Sequence, residues 1–462
     1  MTRTVSIAIL ILPVLSLRGL AADDTAPVAW ELLPYRIQLL VAVEANASLP
    51  PRLADELPVD LAARVPAVVG GAWRLQASAA PVELRHPILH SLNDVTANEL
   101  PATAKKGDKV ILLGVAAGQD GFLVRARELD LVTGLWNTTV TRNVRQGASV
   151  KQEALWCLLS AFAPHARIEK VDAKTVTLKL RAAALARREA DLPLIPSGTV
   201  FRPVLVKSDA RGAIVAGPVE TIDWTYLIPT QSKISSSSFT ASIETGLTGS
   251  VIAEYHPTRL RLALGVSPSQ DSTKVKLLAE GSAAPLEGYE VAAQEPEAAG
   301  KPGTTTSFGR SGADGIVVVP PSLNAVRTIL IRHGEEVLAR LPLVPGLAEE
   351  ITISLADDRP RLVVESALRR IQDDLIDIVA RREVLVSRIK AAGATSNTAS
   401  ADKLKDQLRK LPSIDSFLAE LANQQQAAEA LEGSARSKML QKLGDIRKLA
   451  EKLKAENPAS KL

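Results

Sequence analysis

Residues 108–136 read DKVILLGVAAGQDGFLVRARELDLVTGLW, and the order of their apolar runs and turn residues decides the fold of the first part of the chain. Two strand-like runs, KVILLGVAA and FLVRARELDL, are separated by the turn residues GQDG at 118–121. Glycine takes positive φ at no steric cost, so this joint is typical of a hairpin. A second turn at Thr133-Gly134 leads into a third run, LWNTTVTRNV. The stretch therefore predicts three consecutive strands joined by tight turns.

The segments on either side of this stretch alternate between strand and helix patterns. PYRIQLLVAVE (34–44) and WRLQASA (73–79) predict strands, whereas residues 49–69 and KQEALWCLLSAFAP (151–164) predict helices from their apolar spacing. Pro58 and Pro66 are expected to break or kink the first helix, because proline lacks a backbone N–H. Strand, helix, strand, three strands and helix predict an α+β domain.

The turn after the second strand of the hairpin carries a recognisable motif. It resembles the Arg-x-x-Asp-x-x-Thr-Gly-x-x-Trp run of TolB N-terminal-like domains of bacterial envelope proteins, with one residue fewer between the glycine and the tryptophan. The resemblance implies that residues 30–165 form such a domain. The matching residues are Arg127, Asp130, Thr133, Gly134 and Trp136.

Residues 166–280 are rich in strand patterns and turn residues. A Val-x-Leu strand at Val176 and Leu178 is followed by a Gly-x-x-Phe entry at Gly198 and Phe201. This order resembles the small β-barrel that follows the TolB N-terminal-like domain in flagellar assembly protein T and its relatives. The resemblance implies a β-rich, barrel-like second domain.

Residues 281–354 contain four short strand patterns separated by turn residues. They resemble the carboxypeptidase regulatory-like, transthyretin-like β-sandwich, in which a Leu-x-Gly-x-x-Val strand precedes a hairpin with Asp-Gly. The resemblance implies that Asp-Gly is structural. The matching residues are Leu286, Gly288, Val291, Asp314 and Gly315.

Asp314 beside Gly315 could be a metal ligand, a catalytic acid or a turn residue. A calcium loop needs several oxygen ligands at Asp-x-Asp-x-Asp-Gly spacing, and this stretch, RSGADGIVVV, has one aspartate. Aspartate tolerates the left-handed region and caps a turn with its own carboxylate. We therefore interpret Asp314 and Gly315 as a structural turn.

The C-terminal segment, residues 357–457, predicts helices. A helix begins after Asp357-Asp358 with Pro360 in its first turn. Its apolar residues recur at alternating steps of four and three, with Arg382 in the one gap, as in a heptad seam. The seam residues are Val364, Leu368, Ile371, Leu375, Ile378, Leu385 and Ile389.

A last helix repeats the seam spacing at Met439, Leu443, Ile446, Ala450 and Leu453. The two seams can pair within the chain as a helical hairpin or bundle, or between chains as a coiled coil. Folding back is favoured because the linker holds the partner at high effective concentration, so we expect a monomer.

The N-terminus has the pattern of a secretory signal peptide over residues 1–22: Arg3, an apolar run Ile7–Leu17, then small residues. The run has about 11 residues, whereas a membrane-spanning helix needs roughly 20. We expect cleavage near Ala21 or Ala22, no transmembrane span in the mature chain, and export to the periplasm or beyond the cell. The lone cysteine, Cys157, has apolar neighbours and predicts a core residue.

The net charge of +4 comes from the C-terminal segment, and the way its charges are distributed argues against nucleic acid as a partner. From Arg361 onward there are 19 lysines and arginines against 14 aspartates and glutamates, interleaved at helical spacing with a single aromatic residue. That pattern indicates a solvated helical face.

No catalytic motif is present in the sequence: there is no Gly-x-Ser-x-Gly elbow, Walker loop, Gly-x-Gly-x-x-Gly or clustered Cys/His. His86 and His90 share i, i+4 spacing, but Pro87 lies between them and the glutamate of a zinc motif is missing. We therefore predict no catalytic, cofactor-binding or metal-binding residues and no cofactor.

These patterns predict an α+β multidomain protein with an α+β N-terminal domain, a β-barrel, a small β-sandwich and a C-terminal helical hairpin or bundle. The predicted role is that of a non-enzymatic, exported envelope protein that binds other envelope proteins through its β-domains or its helical tail. An enzyme whose site is assembled from residues distant in sequence is the alternative.

Overall fold

The computed structural model of the 462-residue chain describes residues 28–186, 195–196, 198–209, 214–215, 217–231, 234, 236–247, 252, 258–267, 271–294, 303–322, 324–394 and 398–455. The predicted signal peptide lies outside these residues. The chain forms two compact units, Met1–Ser267 and Pro268–Leu462. Helices and sheets occur in both units, which confirms the predicted α+β multidomain fold class.

The first unit begins with a five-stranded sheet. Its strands are β1 (Tyr35–Val43), β2 (Trp73–Ala79), β3 (Lys109–Gly118), β4 (Gly121–Asp130) and β5 (Val140–Val144). Their order is β2-β1-β3-β4-β5, with β2, β1 and β3 parallel and β4 and β5 antiparallel. The hairpin predicted at residues 118–121 joins β3 to β4, where Gly118 pairs with Gly121.

Helices cover both faces of this sheet. They are α1 (Leu53–Val69), α2 (Val82–His90) and α3 (Val150–Ala161). Successive side chains of a strand point to opposite faces, so β1 sends Leu39 and Val41 into the core under α1 and α3, and Leu40 and Ala42 into the core under α2. The sequence analysis did not predict α2.

Helix α1 continues through both Pro58 and Pro66, so of the expected break or kink the break does not occur. Three apolar residues of α1, Leu57, Leu61 and Val65, are fully buried against the sheet. Most helical stability in a protein comes from packing of the apolar face, and here that packing outweighs the lost backbone hydrogen bonds.

The first unit ends with a closed β-barrel. Its strands are β6 (His165–Val171), β7 (Thr175–Leu180), β8 (Val200–Lys207), β9 (Glu220–Thr221), β10 (Thr225–Pro229), β11 (Ser238–Thr245) and β12 (Arg259–Val266). Six of them follow the order β10-β11-β7-β6-β12-β8, and pairing of Leu227 with Phe201 closes the ring. Strand β9 pairs antiparallel with β8, and the interior of the barrel is apolar.

The second unit begins with two sheets. Their strands are β13 (Thr273–Ala279), β14 (Glu290–Gln294), β15 (Thr305–Arg310), β16 (Ile316–Val319), β17 (Arg327–His333), β18 (Glu336–Leu343) and β19 (Glu350–Leu355). The orders are β16-β13-β19 and β15-β14-β17-β18. Strand β13 pairs with β16 and β19, so it belongs to this sandwich and not to the barrel predicted for residues 166–280.

The second unit ends in a helical bundle. Its helices are α4 (Arg359–Ala394), α5 (Thr398–Arg409), α6 (Ile414–Glu429) and α7 (Gly433–Ala455). Apolar side chains of α4, α6 and α7 form one buried cluster, so the seam of α4 faces helices of its own chain. Helix α6 begins at a serine cap, where the backbone N–H of Ser416 donates to the side chain of Ser413.

Candidate functional site

The charged groups that are most deeply buried lie at one end of the first sheet. Lys109 begins β3 and is the direct cross-strand partner of Asp130 at the end of β4, and Glu128 lies two residues earlier on the same face. The Lys109 Nζ donates to Glu128 Oε1 at 2.7 Å and to Asp130 Oδ2 at 2.8 Å. All three side chains are at most 1% exposed.

His165, the first residue of β6, joins the barrel to this cluster. Its Nε2 is hydrogen-bonded to Asp130, and its backbone N–H donates to the Tyr35 hydroxyl at 2.8 Å. The backbone N–H of Ala163 donates to Glu128 Oε2 at 3.0 Å. Side chains and backbone from β1, β3, β4 and β6 therefore meet in one network, which we call the Lys109 cluster (Tyr35, Lys109, Glu128, Asp130 and His165).

The protonation state of His165 follows from its surroundings. Its Nδ1 is buried and has no hydrogen-bond partner among the described residues. A doubly protonated ring would leave an unpaired N–H there, which is costly. Burial also lowers the pKa of His165, although Asp130 acts in the opposite direction. The neutral ring with its proton on Nε2, donated to Asp130, fits the site.

The carboxylates of the cluster differ in their acidity. Burial raises the pKa of Glu128 to about 7, and Lys109 offsets only part of this effect. Burial alone would raise the pKa of Asp130 as well, but the hydrogen bond from His165 and the charge of Lys109 together hold that pKa below its ordinary value. Burial opposes the charge of Lys109, yet Asp130 and Glu128 raise its pKa overall. The stable pair at neutral pH is thus ionised Lys109 with ionised Asp130.

The Lys109 cluster contains the residue types of an acid–base catalytic site, but a substrate cannot reach its side chains. General acid–base catalysis requires a substrate proton within hydrogen-bond reach of the side chain. Every side chain of this cluster is at most 2% exposed. The arrangement instead fixes the first strand of the barrel to the end of the sheet.

The residues of the TolB-like motif have structural contacts. Asp130 Oδ1 accepts hydrogen bonds from the backbone N–H and the hydroxyl of Thr133, both at 2.7 Å. Gly134 has a φ of 71° and donates its N–H to the Asp130 carbonyl. The Arg127 guanidinium lies 4.6 Å from the centre of the Trp136 ring. Asp130 therefore serves both the turn and the Lys109 cluster.

A second ion pair lies beside the cluster. Asp108 accepts from Arg181 Nη2 at 2.8 Å, and from the backbone N–H of Arg36 at 2.8 Å. Burial raises the pKa of Asp108, but Arg181 and Arg36 outweigh it and lower the pKa overall. The Arg181 guanidinium also lies 4.6 Å from the centre of the Tyr35 ring.

An open cavity of about 260 Å³ lies next to these groups in the first unit. Its wall combines residues of β1, α1, β2, α3 and β7 with residues that follow β7. The described lining is mostly apolar and includes four aromatic side chains together with one arginine, Arg181. The lining side chains that define the cavity are Tyr35, Trp73, Trp156, Leu159, Phe162 and Arg181.

Asp314 and Gly315 form a turn in the second unit. The backbone N–H of Ile316 donates to Asp314 Oδ1 at 3.0 Å, and Gly315 has a φ of 75°. The strands that this turn joins, β15 and β16, lie in different sheets, so it is a corner between sheets and not the hairpin that we expected. A Cβ added at Gly315 would lie 2.5 Å from the Leu277 carbonyl oxygen.

The predicted seam of α4 agrees with the structure at six of its seven residues, which are buried, whereas Leu385 is half-buried. Val386 is buried in its place, and Arg382 is buried and donates to the Pro412 carbonyl. The buried residues Ile378, Arg382 and Val386 follow one another at intervals of four residues. A straight α-helix drifts relative to a seven-residue repeat, and this drift moves the seam by one residue.

A second buried network lies at the start of α4. Arg361 donates from Nε and Nη2 to Asp358 at 2.7 and 2.6 Å and from Nη2 to the His333 carbonyl at 2.8 Å. The His333 ring stacks on the Tyr289 ring with centres 4.1 Å apart. The backbone N–H of Asp358 donates to the Tyr289 hydroxyl at 2.9 Å. The network ties the first turn of α4 to the sandwich.

The remaining candidate residues do not assemble a site. His86 and His90 are exposed on α2, with ring centres 4.8 Å apart. Cys157 is fully buried, and burial raises the pKa of its thiol to about 12, which is the opposite of a reactive thiol. Within the described ranges, no group of three or more His, Cys, Asp or Glu could hold a metal ion.

Sequence reasoning missed the Lys109 cluster and the aromatic cavity. A signal for the first was present, because a lysine that begins one strand of a hairpin lies opposite the acidic end, Glu128-Leu129-Asp130, of the other. The cavity had no local signal, since its aromatic residues are far apart in the sequence.

No helix of the described part is both long and apolar enough to cross a membrane. No protein-family model matches the chain, and no curated protein matches it. Among solved structures, TolB from Acinetobacter baumannii is 11% identical, covers 70% of this chain and 97% of its own, and has a TM-score of 0.17.

A second solved structure that matches is the backbone protein of pilus 2b from group B streptococcus. It is 10% identical, covers 55% of this chain and 100% of its own, and has a TM-score of 0.16. TM-scores this low carry no argument about fold or function. The three family resemblances of the sequence analysis therefore stay predictions.

Proposed function

We propose that this chain is a non-enzymatic, exported envelope protein that acts as an interaction or assembly module. The observation that carries the proposal is an apolar surface on α4 that the bundle leaves uncovered. Ile376 is 53% and Val384 is 50% exposed, on a helix whose opposite side is already buried against α6 and α7. Exposed apolar patches mark protein–protein contact sites.

This surface continues into a groove between α4 and α5. Its lining combines Ala380, Val384 and Leu385 of α4 with Leu411, which follows α5. Arg381 and Gln407 form the polar part of the groove. An apolar centre with a polar edge is the composition of a protein–protein interface.

Two observations support a role without catalysis. The Lys109 cluster is enclosed, so its ionisable groups do not reach a substrate. The described lining of the open cavity contains no carboxylate and no histidine, which are the usual general acids and bases. The alternative, an enzyme with a dispersed site, would have to use the carboxylates that line open clefts beside α4, among them Glu365 and Asp373.

Site-specific photo-crosslinking tests the assembly role. A photoreactive residue at Val384 of the full chain in its own cell envelope should give discrete covalent adducts with a protein. The same residue at Lys448, which is exposed on α7, is the control and should give none. Ile376→Ser should reduce the adducts from position 384, because it removes apolar contact area from the same surface.

Equal adducts from both positions, or no protein adduct from position 384, would contradict the assembly role. Purified chain that turns over a small molecule, with activity lost on substitution of cavity residues, would favour the enzyme alternative.

A further inference from the structure

The aromatic cavity of the first unit gathers a large share of the aromatic side chains of this chain. Aromatic residues make up only 3% of the sequence. Two of the five tryptophans, one of the four tyrosines and one of the six phenylalanines nevertheless line this cavity. Such a concentration around open space is the composition of a binding pocket for a small apolar molecule.

The rings of the cavity are held in place by their own contacts. Phe162 meets Tyr35 edge to face at 4.9 Å and Trp73 at 4.5 Å between ring centres. The Tyr35 hydroxyl accepts from the backbone N–H of His165, so the Lys109 cluster fixes the Tyr35 ring. A preformed wall lowers the entropic cost of binding.

One cationic side chain, Arg181, lines the described part of the cavity. Its guanidinium pairs with Asp108 and also donates to the carbonyl oxygens of Leu33 and Pro34. Arg181 is 9% exposed and lines the cavity, whereas Arg36 is largely exposed. Arg181 also packs on the Tyr35 ring, so the charge lies beside the aromatic wall.

The volume of the cavity and the backbone of its wall give further information about the ligand site. The volume of about 260 Å³ is below the roughly 300–1,000 Å³ of pockets for drug-sized molecules, so it suits a molecule of one or two rings. Ala182, next to Arg181 in the wall, has a φ of 62°, a strained value for a residue with a Cβ, and such strain clusters at ligand sites.

We propose that this cavity binds a small aromatic monoanion, with its ring against Trp73, Trp156 and Phe162 and its anionic group toward Arg181. This site goes beyond the proposed assembly role and does not depend on it, because the α4 surface belongs to the other compact unit.

Calorimetric titration of the full mature chain with 2-naphthoate and with its neutral isostere 2-naphthamide tests the proposal. We expect one naphthoate site per chain and at least tenfold weaker binding of the amide. Trp156→Ala removes a ring that is 37% exposed and should weaken naphthoate binding about tenfold. Leu159→Trp should abolish binding, because the larger side chain fills the cavity.

Val82→Ala is the matched control, since Val82 is exposed on α2 at the opposite face of the sheet; it should leave binding unchanged. Arg181→Met should remove the preference for the anion, provided that the variant still melts cooperatively. Trp156→Ala and Leu159→Trp keep the test decisive if it does not. Equal binding of acid and amide, or naphthoate binding that survives both substitutions, would overturn the proposal.

Discussion

At the residue scale, the Lys109 cluster shows how burial sets the ionisation of single groups. Two carboxylates at most 1% exposed share one ammonium group, and their pKa values are driven apart. Asp130, which also holds the Thr133 turn and His165, keeps its charge. Burial disfavours the charged form of Glu128, so ionisation of this residue should lower the stability of the fold.

Glu128→Gln should change how stability depends on pH. The folded-state pKa of Glu128 is raised to about 7, so its contribution is fully present below pH 4.5 and is lost as pH rises through 7. Glutamine does not titrate. The free energy of unfolding of the variant minus that of the wild type should therefore rise by up to about 3 kcal/mol between pH 4.5 and 8.

Denaturant unfolding at several pH values measures this difference, and the contribution of His165 cancels in it because both chains contain that residue. Glu83→Gln, at an exposed residue of α2, is the control and should leave the slope unchanged. Parallel curves for Glu128→Gln and the wild type would show that Glu128 does not titrate in this range.

In the corner formed by Asp314 and Gly315, the two residues should differ in how well they tolerate substitution. Asp314→Asn should change the free energy of unfolding by less than about 1 kcal/mol, because the side-chain oxygen of asparagine can also accept the hydrogen bond from the Ile316 N–H. Gly315→Ala should cost more than about 1 kcal/mol, since its Cβ would meet the Leu277 carbonyl at 2.5 Å and its φ is 75°.

Thermal melting with and without calcium checks both substitutions of the corner. A calcium-dependent rise in melting temperature that disappears in Asp314→Asn would mean that Asp314 is a ligand and not a turn residue.

At the element scale, α4 combines two apolar surfaces with different partners. One forms the bundle core with α6 and α7, and the other, around Ile376 and Val384, is exposed. The buried surface follows the 3.6-residue period of a straight helix instead of a strict heptad, which is why Val386 replaces Leu385 in the core.

Two leucine substitutions in α4 test this assignment. Leu375→Ala should lower the free energy of unfolding by about 2–5 kcal/mol, because Leu375 is fully buried in the bundle. Leu385→Ala should cost clearly less, because Leu385 is half-buried beside the groove. Chemical denaturation of the full chain measures both losses. Equal losses would support the heptad seam predicted from the sequence, in which Leu385 is a core residue.

At the scale of the whole molecule, the two units have the same construction principle. Each combines β-structure with helices, and each has a buried ionic network at a junction within the unit: the Lys109 cluster joins the first sheet to the barrel, and the Arg361 network joins α4 to β17. Buried ion pairs are costly when one partner is lost, so these networks should fix the junctions in one arrangement.

Export is a property of the whole chain that mass spectrometry can test. The apolar run Ile7–Leu17 predicts a mature N-terminus near Ala22 or Asp23 in the envelope fraction. Intact Met1 on protein recovered from the cytoplasm would contradict the export prediction, and with it the proposed place of action.

The sequence by itself determined the α+β multidomain architecture, the β3–β4 hairpin, the turn at Asp314 and Gly315, and most of the α4 seam. These features depend on local periodicity and turn chemistry, which neighbouring residues specify. The sequence also places an acidic strand end opposite Lys109, although only the register of β3 and β4 makes them partners.

Only the tertiary structure decided that Tyr35, Lys109, Asp130 and His165 meet, and that distant aromatic residues surround one cavity. It also decided that α1 continues through two prolines and that β15 and β16 lie in different sheets. The physical reason is the same in each case. Burial and long-range pairing add free energies that exceed local preferences, and no local pattern records which distant residues supply them.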